Sequence, residues 1–342
     1  MPRIRARQAS LIALVVVVVG AASRESVAGT APQRHLVTLI ASVPRQRIYA
    51  QMSDGGLFRL SASGSWIRTG QHVPGFLALI SDGTLNIEVA DGRHDVFASR
   101  DGGITWRVIL GDVHGGWALG SPGCPLLIGS SPDEESLQGG GLYRSVDGGV
   151  NWSRRARLGK FSASGEISGL ASNCASGVGA VILAGTQAWG VYRSTDRGAS
   201  WMLVTILQRH PPSHDPIVST IQSVPAAPMD FWAGSQTNDG VFRSSDGGKT
   251  WTRAGLRGWF IDDIGVDDSD AETVMAIGSS SVDFGPMRTV DGGRHWSHIR
   301  GLPRRSSAGF VEANHRAYAW TRRAVYVSRD QGASWARLPL PD

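Results

Sequence analysis

One eight-residue pattern recurs along this chain and constrains its fold more than any other feature. The pattern is Ser-x-Asp-x-Gly-x-x-Trp, with Thr once in the first position, and its six copies end at Trp106, Trp152, Trp201, Trp251, Trp296 and Trp335. A shorter copy without the aspartate ends at Trp66, and successive tryptophans are 39 to 50 residues apart. Self-similarity at such a period is typical of repeat architectures. The sequence therefore predicts seven equivalent structural units.

Each unit contains further repeated features that predict four short strands. Gly-(Leu/Val)-(Phe/Tyr)-Arg precedes the pattern at Gly141, Gly190 and Gly240. Two short apolar runs joined by a turn lie further upstream, as in residues 264–278. Four antiparallel strands in a unit of this length make up one blade of a β-propeller. We therefore predict an all-β chain, a single seven-bladed β-propeller over residues 32–342, closed by packing of the first blade against the last.

The composition agrees with a turn-rich β chain. Glycine accounts for 44 and tryptophan for 12 of the 342 residues, and the chain lacks the long Leu/Ala-rich runs of helical bundles and coiled coils. The apolar fraction of 41% is large enough for a core, and the charged fraction of 18% argues against a disordered, highly charged protein.

The repeated pattern resembles the Asp-box, or bacterial neuraminidase (BNR), repeat. In that repeat the aspartate accepts hydrogen bonds from its own turn, the glycine permits a positive φ and the tryptophan is an apolar wedge within the blade. The resemblance thus implies a structural role for the six aspartates, which are Asp101, Asp147, Asp196, Asp246, Asp291 and Asp330. The chain is similar in length and blade number to single-ring photosystem II assembly and stability factors, and it shares its blade with sortilin-like receptors and sialidases. This implies a non-catalytic binding or assembly propeller that presents one face to a protein, peptide or glycan and needs no cofactor.

The first 31 residues predict export. Arg3, Arg5 and Arg7 precede the apolar run of residues 11–22, and small and polar residues follow it, which is the order of a secretory signal peptide. The apolar run is too short to span a bilayer, although an uncleaved N-terminal anchor is the alternative. Removing the three arginines lowers the formal net charge from +5 to +2, so the composition gives little support for nucleic-acid binding. We expect a periplasmic or extracellular protein in which residues 1–31 are a signal peptide and a short linker.

The two faces of the predicted ring differ in how much their residues vary. The Asp-box turns recur almost unchanged on one face, whereas the face at which the first strand of each blade begins, here called the top face, carries unlike residues. Unlike groups suit an asymmetric ligand. The candidate binding residues of the top face are His35, His114, Glu166, Trp189, Trp259, Asp262 and Asp263. The alternative is a sialidase-like or endoglucanase-like glycoside hydrolase, whose acid and carboxylate pair would come from Glu166, Asp262 and Asp263.

The chain has two cysteines, Cys124 and Cys174, which fall in matching turns of neighbouring blades. In an exported protein this placement predicts one disulfide, and two independent turn cysteines are the alternative. His210, His214 and Asp215 are residue types that bind Zn²⁺ or Cu²⁺. Three prolines keep their segment extended and no fourth ligand is evident, so we expect no metal site.

Overall fold

The computed structural model describes most of the chain from residue 34 onward. The described residues are 34–41, 47–70, 76–78, 86–89, 95–99, 105–111, 113–119, 124–131, 141–156, 167–176, 178–186, 190–204, 206, 216–304, 309–313 and 315–341. The predicted signal peptide and the first of the six aspartates, Asp101, lie outside these ranges.

The described residues form seven four-stranded antiparallel sheets, each made of four strands that are consecutive in the chain. Sheets 1 to 3 contain β1 (Leu36–Ala41), β2 (Ile48–Met52), β3 (Leu57–Leu60), β4 (Trp66–Gly70), β5 (Phe76–Ala78), β6 (Asn86–Val89), β7 (Asp95–Ser99), β8 (Arg107–Gly111), β9 (His114–Leu119), β10 (Leu126–Ser131), β11 (Gly141–Ser145) and β12 (Ser153–Ala156). Sheets 4 and 5 contain β13 (Ile167–Ser172), β14 (Ile182–Thr186), β15 (Gly190–Ser194), β16 (Met202–Val204), β17 (Val218–Val224), β18 (Ala227–Ser235), β19 (Val241–Ser244) and β20 (Thr252–Arg253). Sheets 6 and 7 contain β21 (Phe260–Val266), β22 (Val274–Ser279), β23 (Phe284–Thr289), β24 (Ser297–His298), β25 (Gly309–Ala313), β26 (Arg316–Thr321), β27 (Ala324–Ser328) and β28 (Ala336–Leu338).

The order of strands within a sheet follows the repeat unit read from the sequence. In each sheet the first strand pairs with the second, the second with the third and the third with the fourth. Sheet 1 forms in the same way although its turn lacks the aspartate. There the Ser65 N–H donates to Ser61 Oγ (3.0 Å) and the Ser61 N–H to the Ser65 carbonyl (2.8 Å). The degraded first copy is therefore a complete four-stranded unit.

The apolar core of the described chain lies between neighbouring sheets. Seven clusters of buried side chains each join two sheets, and one of them combines Leu36 and Ala50 of sheet 1 with Tyr318 and Val325 of sheet 7. Every cluster includes the motif tryptophan of one of its two sheets: Trp66, Trp106, Trp152, Trp201, Trp251, Trp296 and Trp335. The tryptophan therefore acts as a wedge between sheets, whereas the sequence predicted one within its own blade.

The turns between third and fourth strands are held by their aspartates. In sheet 3, Ser145 Oγ donates to Asp147 Oδ1 (2.7 Å), and the N–H groups of Val150 and Asn151 donate to the same oxygen (3.1 and 2.9 Å). A hydroxyl and a backbone N–H likewise donate to the aspartates of sheets 4 to 7, which are Asp196, Asp246, Asp291 and Asp330. The bonds from Asn151 lower the pKa of Asp147 to about 2 because they favour the ionised form. These carboxylates are engaged by their own turns, as a structural role requires.

In sheets 3, 4 and 6 an arginine near the end of the third strand connects its turn to the turn of the next sheet. Three hydrogen bonds of 2.6 to 2.7 Å run from an arginine Nε to the carbonyl of the residue directly after the next aspartate: Arg144 to Arg197, Arg193 to Gly247, and Arg288 to Gln331. In sheet 5 the corresponding Arg243 instead pairs with Asp230 (2.5 Å) and Glu272 (2.7 Å). The hydrogen bonds place successive turns side by side along one edge.

Cys124 and Cys174 form a disulfide with Cα atoms 5.4 Å apart, which confirms the prediction. Cys124 lies between β9 and β10 of sheet 3, and Cys174 begins a short 3-10 helix, Cys174–Ser176, between β13 and β14 of sheet 4. The bond therefore joins neighbouring sheets through equivalent turns.

Candidate functional site

A cleft of about 420 Å³ opens at one edge of sheet 6. Its walls come from the start of β21, the end of β22, the start of β23 and the segment after β24. The lining residues are Asp262, Ile277, Gly278, Ser279, Phe284, Gly285 and Arg304. Because successive strands run in opposite directions, this edge is opposite the aspartate turn that follows β23. The cleft thus lies where first strands begin, the edge at which the sequence predicted binding.

A β-bulge sets the position of Asp262. In the pairing of β21 with β22, Ile261 faces Gly278 and Asp263 faces Ile277, so Asp262 is the extra residue. The first strands of sheets 1, 3, 4 and 5 contain the same irregularity, and the extra residues there are Val37, Gly115, Ser168 and Ser219. The bulge is therefore a repeated feature of this fold.

In sheets 4 and 5 the bulge residue connects its sheet to the next one. Ser168 donates to the carbonyl of Val218, and Ser219 Oγ donates to the carbonyl of Ile261 (2.5 Å). Asp262 occupies the same position in sheet 6, but an ionised carboxylate has no proton to donate.

The Asp262 carboxylate has no ion pair or hydrogen bond with another described residue. Its side chain lines the cleft and remains accessible to solvent, and partial desolvation of the carboxylate by the surrounding walls raises its pKa. The position that connects neighbouring sheets through Ser168 and Ser219 therefore presents, in sheet 6, an acidic group without a partner among the described residues.

Asp263, the next residue, bridges three sheets. Its Oδ1 accepts hydrogen bonds from Thr220 Oγ1 (3.4 Å) and the Ile264 N–H (2.9 Å), and its Oδ2 accepts from the Phe310 N–H (2.9 Å). Thr220 belongs to β17 of sheet 5 and Phe310 to β25 of sheet 7. Desolvation by burial raises the pKa of Asp263 to about 7, although these hydrogen bonds act in the opposite direction. Both carboxylate oxygens thus connect the first strands of consecutive sheets.

A second polar group forms one side of the cleft. Asp283 Oδ2 lies 2.8 Å from His298 Nε2, and Asp283 Oδ1 accepts a hydrogen bond from Arg304. The guanidinium of Arg304 lies 5.5 Å from the centre of the Phe284 ring, at cation–π distance. Burial alone would raise the pKa of Asp283, but the hydrogen bonds from His298 and the Phe284 N–H, together with the charges of His298 and Arg304, lower it. Asp283 and Arg304 therefore neutralise each other.

Exposed apolar side chains lie beside the cleft. Phe260 is 44% exposed and Val282 is 93% exposed. Phe260 and Phe284 both pair with Ser279, from the two strands that flank it. Directly opposite residues of antiparallel strands share one face of the sheet. The edge of sheet 6 thus combines two aromatic rings, one aliphatic side chain and one unpaired carboxylate.

The structure brings three of the predicted site residues together in sheet 6, namely Trp259, Asp262 and Asp263. Trp259 is only 9% exposed, packs between sheets 5 and 6, and lies 6.5 Å from the His298 ring. Its side chain is therefore part of the core between sheets 5 and 6, unlike that of the exposed Phe260.

The other predicted residues are spread over the chain. His35 lies just before β1, where its backbone N–H bonds to Ser53 Oγ (3.0 Å). His114 begins β9 and pairs with Ser131, one position before the bulge. Glu166 and Trp189 lie outside the described residues. The sequence reasoning missed His298 and Arg304, because they follow Asp283 by 15 and 21 residues and belong to no repeated pattern.

No three or more His, Cys, Asp or Glu side chains come together as a metal site within the part of the chain that the structure describes. His210, His214 and Asp215 lie outside that part. No helix among the described residues has the length and apolar character needed to cross a bilayer.

No protein-family model and no curated protein matches this chain, but solved structures do. A GH74 enzyme from Niastella koreensis matches 87% of the chain with a TM-score of 0.64 and 15% sequence identity. YCF48 from Cyanidioschyzon merolae matches 87% of the chain with a TM-score of 0.56 and 15% identity. Both are β-propellers. The chain has a β-propeller fold.

This propeller matches the two relatives over different shares of their length. It covers 53% of the GH74 enzyme, about half of that protein, but 96% of YCF48. A further solved structure is that of YCF48 bound to D1 peptide. The match covers 89% of this chain and 93% of that one, with a TM-score of 0.55 and 13% identity. At these identities the likeness establishes the fold alone.

Proposed function

We propose that this chain is an exported, non-catalytic seven-bladed propeller, with Asp-boxes in six blades, that binds a peptide segment of a partner protein at its top face. The observation that carries the proposal is the cleft of sheet 6, which Asp262 lines without a partner among the described residues, at the sheet edge that also carries the exposed Phe260 and Val282. Apolar anchors around a few polar groups are typical of recognition sites. YCF48, which has this fold and nearly this length, has been solved with a bound D1 peptide.

Closure of the seven sheets into a ring would hold such a site rigidly. Its support is the apolar cluster shared by sheets 1 and 7, the hydrogen bond from the Leu36 N–H to the Arg322 carbonyl (2.9 Å), and the one from Trp66 Nε1 to the Pro339 carbonyl (2.8 Å). The hydrogen bonds to the turn aspartates support their interpretation as Asp-boxes. A closed scaffold positions variable loops at one face, where binding residues are generally found.

The carboxylates near Asp262 are already occupied by contacts within the protein, which favours binding over catalysis. A glycoside hydrolase needs an acid and a second carboxylate that both reach the scissile bond. Both oxygens of Asp263 accept hydrogen bonds from other strands, and both oxygens of Asp283 contact His298 or Arg304. Asp262 therefore lacks a free carboxylate partner among the described residues of the cleft.

A glycoside hydrolase is the second candidate. It is favoured by the raised pKa of Asp263, about 7, which suits a general acid, and by the fold shared with a GH74 enzyme. Its test is the release of sugar from β-glucans and sialosides. Hydrolysis by the wild type that Asp262→Asn abolishes would overturn the non-catalytic proposal.

Export is supported by the disulfide, since such bonds persist mainly outside the reducing cytosol. The test is expression of the full chain and determination of the N-terminus of the mature protein. A mature protein that begins after residue 22, 28 or 31 is expected. A full-length protein retained in the cytosol would contradict export.

Selection of random peptides displayed on phage against the immobilised full chain tests the binding proposal. We expect enriched peptides whose affinity falls about tenfold or more in the double variant Phe260→Ala/Val282→Ala, because exposed apolar anchors contribute on the order of 1 kcal/mol each or more. The matched control is Val150→Ala, since Val150 is 63% exposed on an aspartate turn at the opposite edge. Thermal unfolding checks that each variant is folded.

Two results would overturn the binding proposal. One is the absence of any enriched peptide. The other is binding that survives the double variant and is lost in folded Val150→Ala protein.

A further inference from the structure

We propose that the cleft beside Asp262 binds the side chain of an arginine or lysine of the peptide. This inference rests on the proposed function and deepens it by naming the chemistry of the residue that is recognised. It follows from the charge of the cleft, from the composition of its walls and from the exceptional residue at the bulge.

Among the described residues of the cleft, one acidic group has no partner. Arg304 is the cation that lines the cleft, and it is already paired with Asp283. Asp262 thus contributes a negative charge that no described residue neutralises. A ligand cation would form a charge-assisted hydrogen bond with this carboxylate, whereas a ligand carboxylate would be repelled by it.

The walls of the cleft suit a long basic side chain. Ile277 and Phe284 are apolar, and Gly278 and Gly285 add no side chains. Arginine and lysine bury their methylene stems against apolar surface and keep the charged group at a polar end. The Phe284 ring already lies 5.5 Å from the guanidinium of Arg304, so an aromatic ring that attracts cations is present in the wall.

The bulge position gives independent support. Serine at this position in sheets 4 and 5 donates to the next sheet, and the uncharged residues Val37 and Gly115 occupy it in sheets 1 and 3. Asp262 is the one acidic residue at these five bulges, and its side chain has no partner among the described residues. Departures from a repeated structural pattern are expected mainly at functional sites.

The experiment uses the peptides enriched in the selection described above. Each arginine is replaced in turn by citrulline and each lysine by norleucine, and the affinities for the full chain are measured by fluorescence anisotropy. One replacement is expected to weaken binding about tenfold to hundredfold, the range of a charge-assisted hydrogen bond. The same replacement is expected to have little effect on Asp262→Asn, because that variant has already lost the charged partner.

Two further variants keep the test specific. Asp262→Ser introduces the residue that sheets 4 and 5 have at the bulge, so it should remain folded and should lose the preference for a basic residue. Asp268→Asn removes the same charge from the turn after β21, at the opposite edge of sheet 6, and should bind like the wild type.

The outcomes separate this inference from the proposed function. If peptides depend on Phe260 and Val282 but basic-residue replacements weaken binding equally in wild type and Asp262→Asn, the inference is overturned and the binding function stands. If no peptide depends on this edge, the proposed function fails and the inference fails with it.

Discussion

Replacing Asp263 with asparagine should remove a pH dependence of stability between about pH 4 and pH 7. Desolvation by burial raises the pKa of this carboxyl from 3.8 to about 7 in the native protein. In that pH range the native carboxyl holds a proton that the unfolded chain has released. Because the native state then binds more protons, the free energy of unfolding must fall as pH rises. Each pH unit corresponds to about 1.4 kcal/mol, so the full range amounts to about 4 kcal/mol.

The assay is urea unfolding at pH 5, 6, 7 and 8, followed by tryptophan fluorescence, for wild type and Asp263→Asn. We expect the stability of the wild type relative to the variant to fall by about 1.4 kcal/mol per pH unit between pH 5 and 7 and to level off near pH 8. Groups common to both proteins cancel in this difference. The aspartate turns do not interfere, because hydrogen bonding lowers the pKa of Asp196 and Asp330 to about 2.

A stability difference that stays constant from pH 5 to pH 8 would refute the reasoning, since it would mean that Asp263 is ionised throughout. Asp330→Asn is the control, because hydrogen bonds from Ser334 lower the pKa of Asp330 to about 2, so this carboxyl is ionised throughout the range. Its stability difference from the wild type should not change over this pH range.

Three further predictions concern the scaffold, and urea unfolding measures each of them. Replacing both Cys124 and Cys174 with serine should lower stability by about 4 kcal/mol in the chain-entropy treatment, because the bond closes a loop of 50 residues; an unchanged unfolding midpoint would contradict this. Trp251→Ala should cost about 3 to 5 kcal/mol, since Trp251 is 8% exposed between sheets 4 and 5. Asp246→Ala, in the same turn, should cost only about 1 to 2 kcal/mol. A larger loss of stability for Asp246→Ala than for Trp251→Ala would contradict the role of Trp251 as a wedge between sheets. Arg193→Leu should cost about 1 kcal/mol by removing the hydrogen bond to Gly247, and no measurable loss would show that this bond contributes nothing.

The repeat made much of the fold predictable. The nearly equal spacing of Trp152, Trp201 and Trp251 defined units long enough for four strands. The four strands of each sheet are consecutive in the chain, as this predicts. The disulfide was predictable because Cys124 and Cys174 occupy equivalent turns. These features depend on local sequence repeated at a regular interval, which a single sequence displays directly.

The candidate site was only partly predictable, because the bulge depends on strand pairing. The sequence analysis placed His35, His114 and Asp262 together on the face at which the first strands begin. The pairing instead matches Asp262 with Ser219 and places His114 one residue before its own bulge. An extra residue in one strand changes which residue occupies an equivalent position, and hydrophobic periodicity does not reveal it.

Two other features required the tertiary structure. The arginine in the Gly-(Leu/Val)-(Phe/Tyr)-Arg segment was visible as a repeat, but its acceptor lies about 50 residues away in the next sheet, as in Arg193 and Gly247 at a separation of 54 residues. Asp283, His298 and Arg304 meet because β23 begins and β24 ends at the same edge, where the segment after β24 also lies. No repeated pattern relates these three residues.

The position of the bound peptide tests the central claim most directly. A selected peptide carrying a photoreactive benzoylphenylalanine is cross-linked to the full chain, and mass spectrometry locates the modified residues. We predict modification within residues 277–285 and around Arg304, at the edge where the cleft opens. Modification concentrated in the aspartate turns, at residues 246–251 and 291–296, would contradict a peptide site at the top face.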